Sequence, residues 1–290
     1  MLAGSALANP STSSGARRML TRPLPATQEP LPVIGLGTYR GFDVAPADGN
    51  YRNLPAVLDA LFDNSGSMID SSPMYGRAEQ TTGELLTARS VRASPFLATK
   101  VWTRGRAEGI AQMERSFQLL QTERIDLMQI HNLLDWQSHL PTLREWKRQG
   151  RIRYIGISHY TASAYTEVES LLRSEPLDFL QINYALDDRA VENRLLPLCQ
   201  ERGVAVICSR PFGGGGLLAR LRSVPLPGWA QEVQASSWSQ LALKFLVSHP
   251  AVTCVIPGTG NPRYMAENAG AGFGPLLDEA QRRALVGVVG

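Results

Sequence analysis

Lysine is scarce in this 290-residue chain: 29 residues are basic, yet only Lys100, Lys147 and Lys244 are lysines. Cysteine is scarce too. Cys199, Cys208 and Cys254 form an odd set without a CxxC pair, which argues against a disulfide framework or a zinc cluster. No apolar run reaches 18 residues, so a membrane-spanning helix is excluded and no membrane partner is expected. A formal net charge of only +3, with the basic residues scattered, gives no footprint for nucleic acid. No His-x-His or clustered carboxylate set marks a metal site. The open-sheet dinucleotide fingerprint is also missing, because Gly35-Leu36-Gly37 has no third glycine opening a helix.

What is present is a core-forming composition, 43% hydrophobic and 19% charged. That excludes a disordered chain, and the length supports a sizeable core without disulfide or metal staples. Length alone suits one large domain or two small ones. Residues 1–30 read as an unstructured leader, turn-rich through Asn9-Pro10-Ser11-Thr12-Ser13-Ser14-Gly15. A cytoplasmic N-terminus is the leading reading. The alternative is the remnant of an export signal in residues 1–8, which end in an A-x-A-like Ala6-Leu7-Ala8. Arg17-Arg18 is a twin arginine, but no apolar run follows it.

From Val33 onward, apolar β-branched runs recur at 33–39, 68–70, 96–102, 125–130, 154–158, 179–184, 204–208 and 252–256. Helical patterns lie between them. Ile110, Met113, Phe117 and Leu120 share one face, as do Tyr165, Val168, Leu171 and Leu172. A weaker stripe of Leu140, Leu143 and Trp146 closes at Gly150. Near-continuous apolar strands alternating with helices imply parallel strands covered by helices. Eight such units fit a (β/α)8 TIM barrel, α/β in class and a single domain over 31–290, better than an open doubly wound sheet.

In such a barrel the chemistry sits at the C-terminal strand ends. There the chain carries Asp70 and, after a short turn, Tyr75; then Lys100, then His131. Singly, each has an ordinary explanation. Asp70 could cap its turn, Lys100 could snorkel, His131 could be a bonded core histidine, and Tyr75 a loop aromatic. Together they point elsewhere, because a buried lysine needs a counter-charge and Asp70 supplies one. A phenol beside that ammonium is expected to have a lowered pKa and to donate a proton to a developing alkoxide. His131 then fits as a neutral donor that orients a carbonyl oxygen.

At this point a resemblance becomes visible. MIDSSPMYGRAEQTTGELL (68–86) resembles the D-x-[AS]-x-x-Y-G signature of the aldo-keto reductases. ATK (98–100), QIHN (129–132), GISHY (156–160), LQINY (180–184) and IPGT…EN (256–268) follow in the family order. The resemblance implies an NAD(P)H-dependent oxidoreductase reducing aldehydes or ketones, small-molecule carbonyl substrates, to alcohols. Tyr75 would be the proton donor, Asp70 and Lys100 its activators, and His131 the carbonyl-orienting residue.

It also implies an extended nicotinamide cofactor across the barrel mouth. Gly37, Thr38 and Tyr39 would line the first strand end, with Asp70 also among the cofactor-binding residues, and Ser158 and Gln181 would hold the carboxamide, to which His159 could still donate. Ser209, Arg210, Pro211, Phe212, Gly213 and Gly215 would form the loop over the pyrophosphate; four glycines in a row could equally be a flexible linker. Gly258, Thr259, Arg263, Glu267 and Asn268 would reach the adenosine end. Three departures stand out. His159 replaces the usual Asn, Ser209 replaces an aromatic that stacks on the nicotinamide, and Gly258 and Tyr264 replace cationic residues near the 2′-phosphate. NADPH is favoured through Arg263, with NADH possible. Tyr39, Trp102 and His131 are the pocket candidates, with Trp136 and Trp229 as further aromatics. Residues 275–290 read as one amphipathic helix, so a long closing loop is not expected and the pocket should be open. A cofactor-binding regulatory subunit on the same barrel is the alternative function. A Schiff-base lyase rests on Lys100 alone. The residues assign no oligomeric state.

Overall fold

Each of the eight apolar runs becomes a strand, and all eight run parallel in one sheet. The computed structural model describes residues 18–89 and 95–290. Two short strands come first, β1 (Thr21–Pro23) and β2 (Pro30–Pro32). The barrel strands follow: β3 (Leu36–Gly37), β4 (Met68–Asp70), β5 (Phe96–Val101), β6 (Ile125–His131), β7 (Ile152–His159), β8 (Phe179–Asn183), β9 (Ala205–Ser209) and β10 (Val252–Val255). Neighbours in sequence are neighbours in the sheet. Parallel bridges Ile34 to Val255 and Gly37 to Gly258 then bring the first barrel strand against the last, so the barrel is nearly closed. Gly37 is needed at that seam, since a Cβ there would lie 3.0 Å from the Ile256 carbonyl oxygen.

The helices that cover the barrel include α1 (Leu54–Asp63), α2 (Ala78–Ala88), α3 (Arg106–Leu120), α4 (Trp136–Arg148), α5 (Tyr165–Ser174), α6 (Leu195–Arg202), α7 (Gly216–Leu221), α8 (Trp238–Val247), α9 (Pro262–Gly270) and α10 (Glu279–Val289). Several bury one stripe at helical spacing. Leu54, Val57, Leu58 and Leu61 do so on α1, and Val168, Leu171 and Leu172 on α5. By contrast, α8 is buried without a break over 241–247. Gly150, at positive φ, ends the α4 unit as expected. None of these helices, nor any other among the described residues, is long and apolar enough to cross a membrane.

The barrel interior is a second, separate core. Met68, Phe96, Ala98, Leu127, Tyr154, Phe179, Ala205, Ile207, Cys254 and Ile256 fill it, joined by Leu24 and Leu31. Those two leucines correct the expected leader. Residues 18–30 are not unstructured: Arg22 pairs with Leu31 and Thr21 with Pro32, in an antiparallel hairpin. Leu24 and Leu31 are buried at 1% and 2% exposure and plug the N-terminal end. Two isolated leucines among prolines have no periodicity, so their burial depends on the barrel above them. Residues 1–17, with the export-signal alternative, lie outside the described residues.

Candidate active site

Strand periodicity places the site. Side chains two apart on a strand share a face, so the interior set Met68, Ala98, Leu127 and Phe179 continues upward as Asp70, Lys100, Gln129 and Gln181. Lys100 and Asp70 are 0% and 1% exposed. The lysine Nζ donates to Asp70 Oδ1 at 2.8 Å, Asp70 Oδ2 at 2.7 Å and the Ser71 carbonyl at 2.7 Å. All three ammonium protons are thereby placed. Burial alone would lower the Lys100 pKa, but the Asp70 charge and hydrogen bonds, with help from Tyr75, turn the net shift upward.

Asp70 is held from the other side by two amides. Gln129 Nε2 donates to Asp70 Oδ1 at 3.2 Å and to Gln181 Oε1 at 2.9 Å, and Gln181 Nε2 donates to Asp70 Oδ2 at 3.2 Å. The carboxylate dictates both amide orientations, since a flipped amide would set oxygen against oxygen. Gly156 makes room for this network: a Cβ there would meet Gln129 Cγ at 3.0 Å.

Tyr75 leans over this pair, with Lys100 Nζ 5.1 Å from its ring centre. Its ring lies 5.0 Å from that of Tyr39 and 6.0 Å, edge-on, from that of His131. The turn carrying it is pinned at Gly76, whose φ is +59°; a Cβ there would lie 2.2 Å from Asp43 Oδ1. One expectation is corrected. Burial raises the Tyr75 pKa by more than the Lys100 charge lowers it, with Asp70 adding a further upward push. The phenol is thus firmly protonated before anything binds.

His131 is neutral. Burial first, then the charges of Lys100 and His159, push its pKa down to about 3. Its Nδ1 lies 3.0 Å from Ser72 Oγ. Trp102, 40% exposed, stands with its ring 6.4 Å from His131. Its backbone is clamped by the Gln112 side chain, which accepts from its N–H at 2.6 Å and donates to its carbonyl at 3.1 Å. Trp136 and Trp229 pack partly buried against the outer core.

The rest of the mouth offers groups suited to an amide. Ser158 Oγ is buried without a hydrogen-bond partner. Gln181 keeps one amide N–H beyond its bond to Asp70. His159 Nδ1 accepts from the backbone N–H groups of Tyr160 at 3.1 Å and Thr161 at 3.2 Å, so its ring proton sits on Nε2. Thr38 is fully buried, and its hydroxyl is spent on the Asp70 carbonyl and Ser71 Oγ, each 3.0 Å away. It stiffens the strand end rather than presenting a hydroxyl. Beyond Ser209, Arg210 and Pro211, the loop winds Gly213, Gly214 and Gly215 through positive φ in succession, a conformation natural to glycine. The Arg210 guanidinium lies 5.9 Å from the Tyr160 ring centre.

At the far end Asn268 is buried, while the Glu267 carboxylate accepts from Ser239 Oγ and Thr259 Oγ1 accepts from the Asn261 N–H at 3.0 Å. Arg263 and Tyr264 on α9 are exposed. No group of three or more His, Cys, Asp or Glu able to hold a metal occurs among the described residues.

The family model of the aldo/keto reductases matches residues 33–286. The chain belongs to the aldo/keto reductase family. Among curated relatives, methylglyoxal reductase YeaE of Escherichia coli (strain K12) is 29% identical over 82% of this chain and 84% of its own. An NADH-specific methylglyoxal reductase of the same organism is 28% identical over 72% of each. Among solved structures, an aldo/keto reductase from Klebsiella pneumoniae in complex with NADP and acetate superposes with a TM-score of 0.78. It is 25% identical, over 93% of this chain and 95% of that one. A second from that organism, in complex with NADPH, has a TM-score of 0.75 and is 26% identical over the same shares.

Against this aldo/keto reductase background, Ser72, Gln112 and Gln129 are the residues that sequence reasoning missed. Gln129 had a visible signal, a polar residue at an inward position in the apolar run 125–130. Ser72 and Gln112 had none, because their partners are set by the fold.

Proposed function

We infer that this chain is an NAD(P)H-dependent oxidoreductase that reduces aldehydes or ketones to alcohols, with Tyr75 donating the proton. The observation that carries the roles is the fully buried Lys100–Asp70 pair beneath Tyr75, facing a neutral His131. A charge buried that deeply is costly unless paired, and the aromatic ring that lies over it is a phenol.

The nicotinamide, when bound, supplies the hydride. Ser158 Oγ, the spare Gln181 N–H and His159 Nε2–H supply the mixed donors and acceptors that a carboxamide needs. His131 Nε2 holds the carbonyl oxygen by a hydrogen bond from an uncharged ring. As negative charge grows on that oxygen, Tyr75 O–H delivers a proton to it. Lys100 then stabilises the phenolate left behind, a stabilisation realised only as the charge develops. Trp102 and Tyr39 wall the carbonyl's approach, held rigid by Gln112 and Tyr75 respectively.

NADPH is the favoured cofactor, supported by the exposed Arg263 and by the NADP and NADPH complexes of the Klebsiella relatives. NADH is the second candidate, in keeping with the NADH-specific relative. A cytoplasmic setting suits three unpaired, buried thiols. The test is cofactor titration by fluorescence, then turnover across a carbonyl panel that includes methylglyoxal, the compound named for two relatives. Tyr75→Phe should lose turnover about 10²–10⁴-fold while keeping cofactor affinity. Wild-type protein that binds cofactor yet turns over no carbonyl would overturn the reading in favour of a binding subunit.

A further inference from the structure

A neutral imidazole carries one N–H and one bare nitrogen, and only one of its two tautomers can donate to a carbonyl at the mouth. For His131 the choice is made by its neighbour. Ser72 is fully buried, in the turn between Asp70 and Tyr75, and its Oγ lies 3.0 Å from His131 Nδ1. The same oxygen accepts the Met74 backbone N–H at 3.4 Å. Among the described residues no protein group hydrogen-bonds His131 Nε2.

Two proton arrangements are conceivable. If Nδ1 carried the proton and donated it to Ser72, the serine oxygen would receive two donors. Its own hydroxyl proton would then be buried with no acceptor, a state that folded proteins avoid. If Ser72 donates instead, every group is placed. Met74 N–H goes to Oγ, the Oγ proton goes to Nδ1, and the ring's own proton sits on Nε2. We propose that Ser72 is a positioning residue, whose Oγ–H donates to His131 Nδ1 and holds the ring in its Nε2–H tautomer.

His159, the other histidine at the mouth, reaches the same tautomer through two backbone N–H donors on its Nδ1. His131 has no backbone donor there and depends on a side chain 59 residues away in sequence. The turn 70–75 thereby carries three functions: the counter-charge for Lys100, the tautomer control for His131, and the phenol itself. This inference rests on the reading of His131 as the carbonyl-orienting residue.

The experiment is long-range ¹H–¹⁵N imidazole spectroscopy on the full chain, with His131→Gln assigning the ring among four histidines. The wild type should show a protonated Nε2 and a bare, hydrogen-bonded Nδ1. Ser72→Ala should mix the tautomers, so that the two nitrogen shifts converge, and Ser72→Thr, which keeps a hydroxyl, should restore them. In parallel, kcat for carbonyl reduction should fall about two- to tenfold in Ser72→Ala, the size expected from one neutral hydrogen bond, at unchanged cofactor affinity. A wild-type ring protonated on Nδ1, or an unmoved pattern in Ser72→Ala, overturns the proposal whatever the kinetics. A mixed ring in Ser72→Ala with kcat intact upholds the control of the tautomer and instead overturns the role assigned to His131.

Discussion

The two ends of the barrel interior are built from the same strands and the same alternation, yet they do opposite things. Toward the N-terminal end the inward positions are Met68, Phe96, Leu127 and Phe179, closed below by Leu24 and Leu31. Two to four residues further along those strands stand Asp70, Lys100, Gln129, His131 and Gln181, all buried. The lower layer contributes stability through area removed from water. The upper layer holds a charge pair in surroundings where charge is expensive, which works only because every ammonium proton has an acceptor and each carboxylate oxygen a second donor. Stability and chemistry are thus stacked along one axis. The two layers should fail differently when cut.

The largest effect is expected at Lys100. Lys100→Met strands the Asp70 carboxylate in a buried site, at a cost of about 3–5 kcal/mol, and removes the cation that stabilises a Tyr75 phenolate. Denaturant unfolding and steady-state kinetics should both register it, with kcat down by about 10²-fold or more. A variant that unfolds normally would mean the pair contributes little to the upper layer.

The lower layer should respond in stability alone. Leu31→Ala opens a cavity beneath Phe96 and Leu127 and should cost about 2–5 kcal/mol, seen as a lower denaturant midpoint. At temperatures where the variant is folded, kcat should match the wild type. A large loss of kcat would show that the hairpin sets the geometry of the strand ends, and the two layers would no longer be separable.

Gln129 sits at the boundary and is the sharper test. Gln129→Leu extends the apolar layer upward by one residue while removing donors to Asp70 and Gln181. A loss of about 1–3 kcal/mol is expected from the unpaired groups, together with weaker cofactor binding in fluorescence titration, because Gln181 is then held by its bond to Asp70 alone. Unchanged affinity would detach Gln181 from the cofactor.

This layering also explains what could be read in advance. The eight apolar runs, and the placing of Asp70, Tyr75, Lys100 and His131 at or just after strand ends, were legible, because near-continuous apolar runs and the ordered motifs are properties of local sequence. The hairpin was not, because Leu24 and Leu31 are buried by a barrel closed far away in sequence. Nor was the direction of the Tyr75 shift. It depends on how deeply the ring is desolvated, and no spacing in the turn 70–75 encodes that. Ser72 belongs with these, acting on a partner 59 residues away, whereas Gln129 showed as a polar residue in an apolar run but its partner, equally distant, did not.

The smallest effect separates rate from stability within the upper layer itself. His131 titrates at about 3 instead of near 6.5, so above about pH 5 it keeps one charge state while the enzyme is folded. Tyr75, raised above its ordinary value of 10, stays protonated across the same range. The kcat for reduction should therefore be flat from about pH 5 to 9, while the reverse oxidation, which needs the phenolate, climbs with pH. Stability behaves otherwise. In the unfolded chain His131 takes up a proton below about 6.5, and in the folded chain it does not, so acid favours the unfolded state. The stabilisation is full above that value and falls with pH by up to about 2 kcal/mol at pH 5 from this one ring. Denaturant midpoints should drop over the window in which kcat holds steady. A kinetic limb near 6.5 would place a charge on His131 in the working enzyme, and the neutral donor would have to be abandoned.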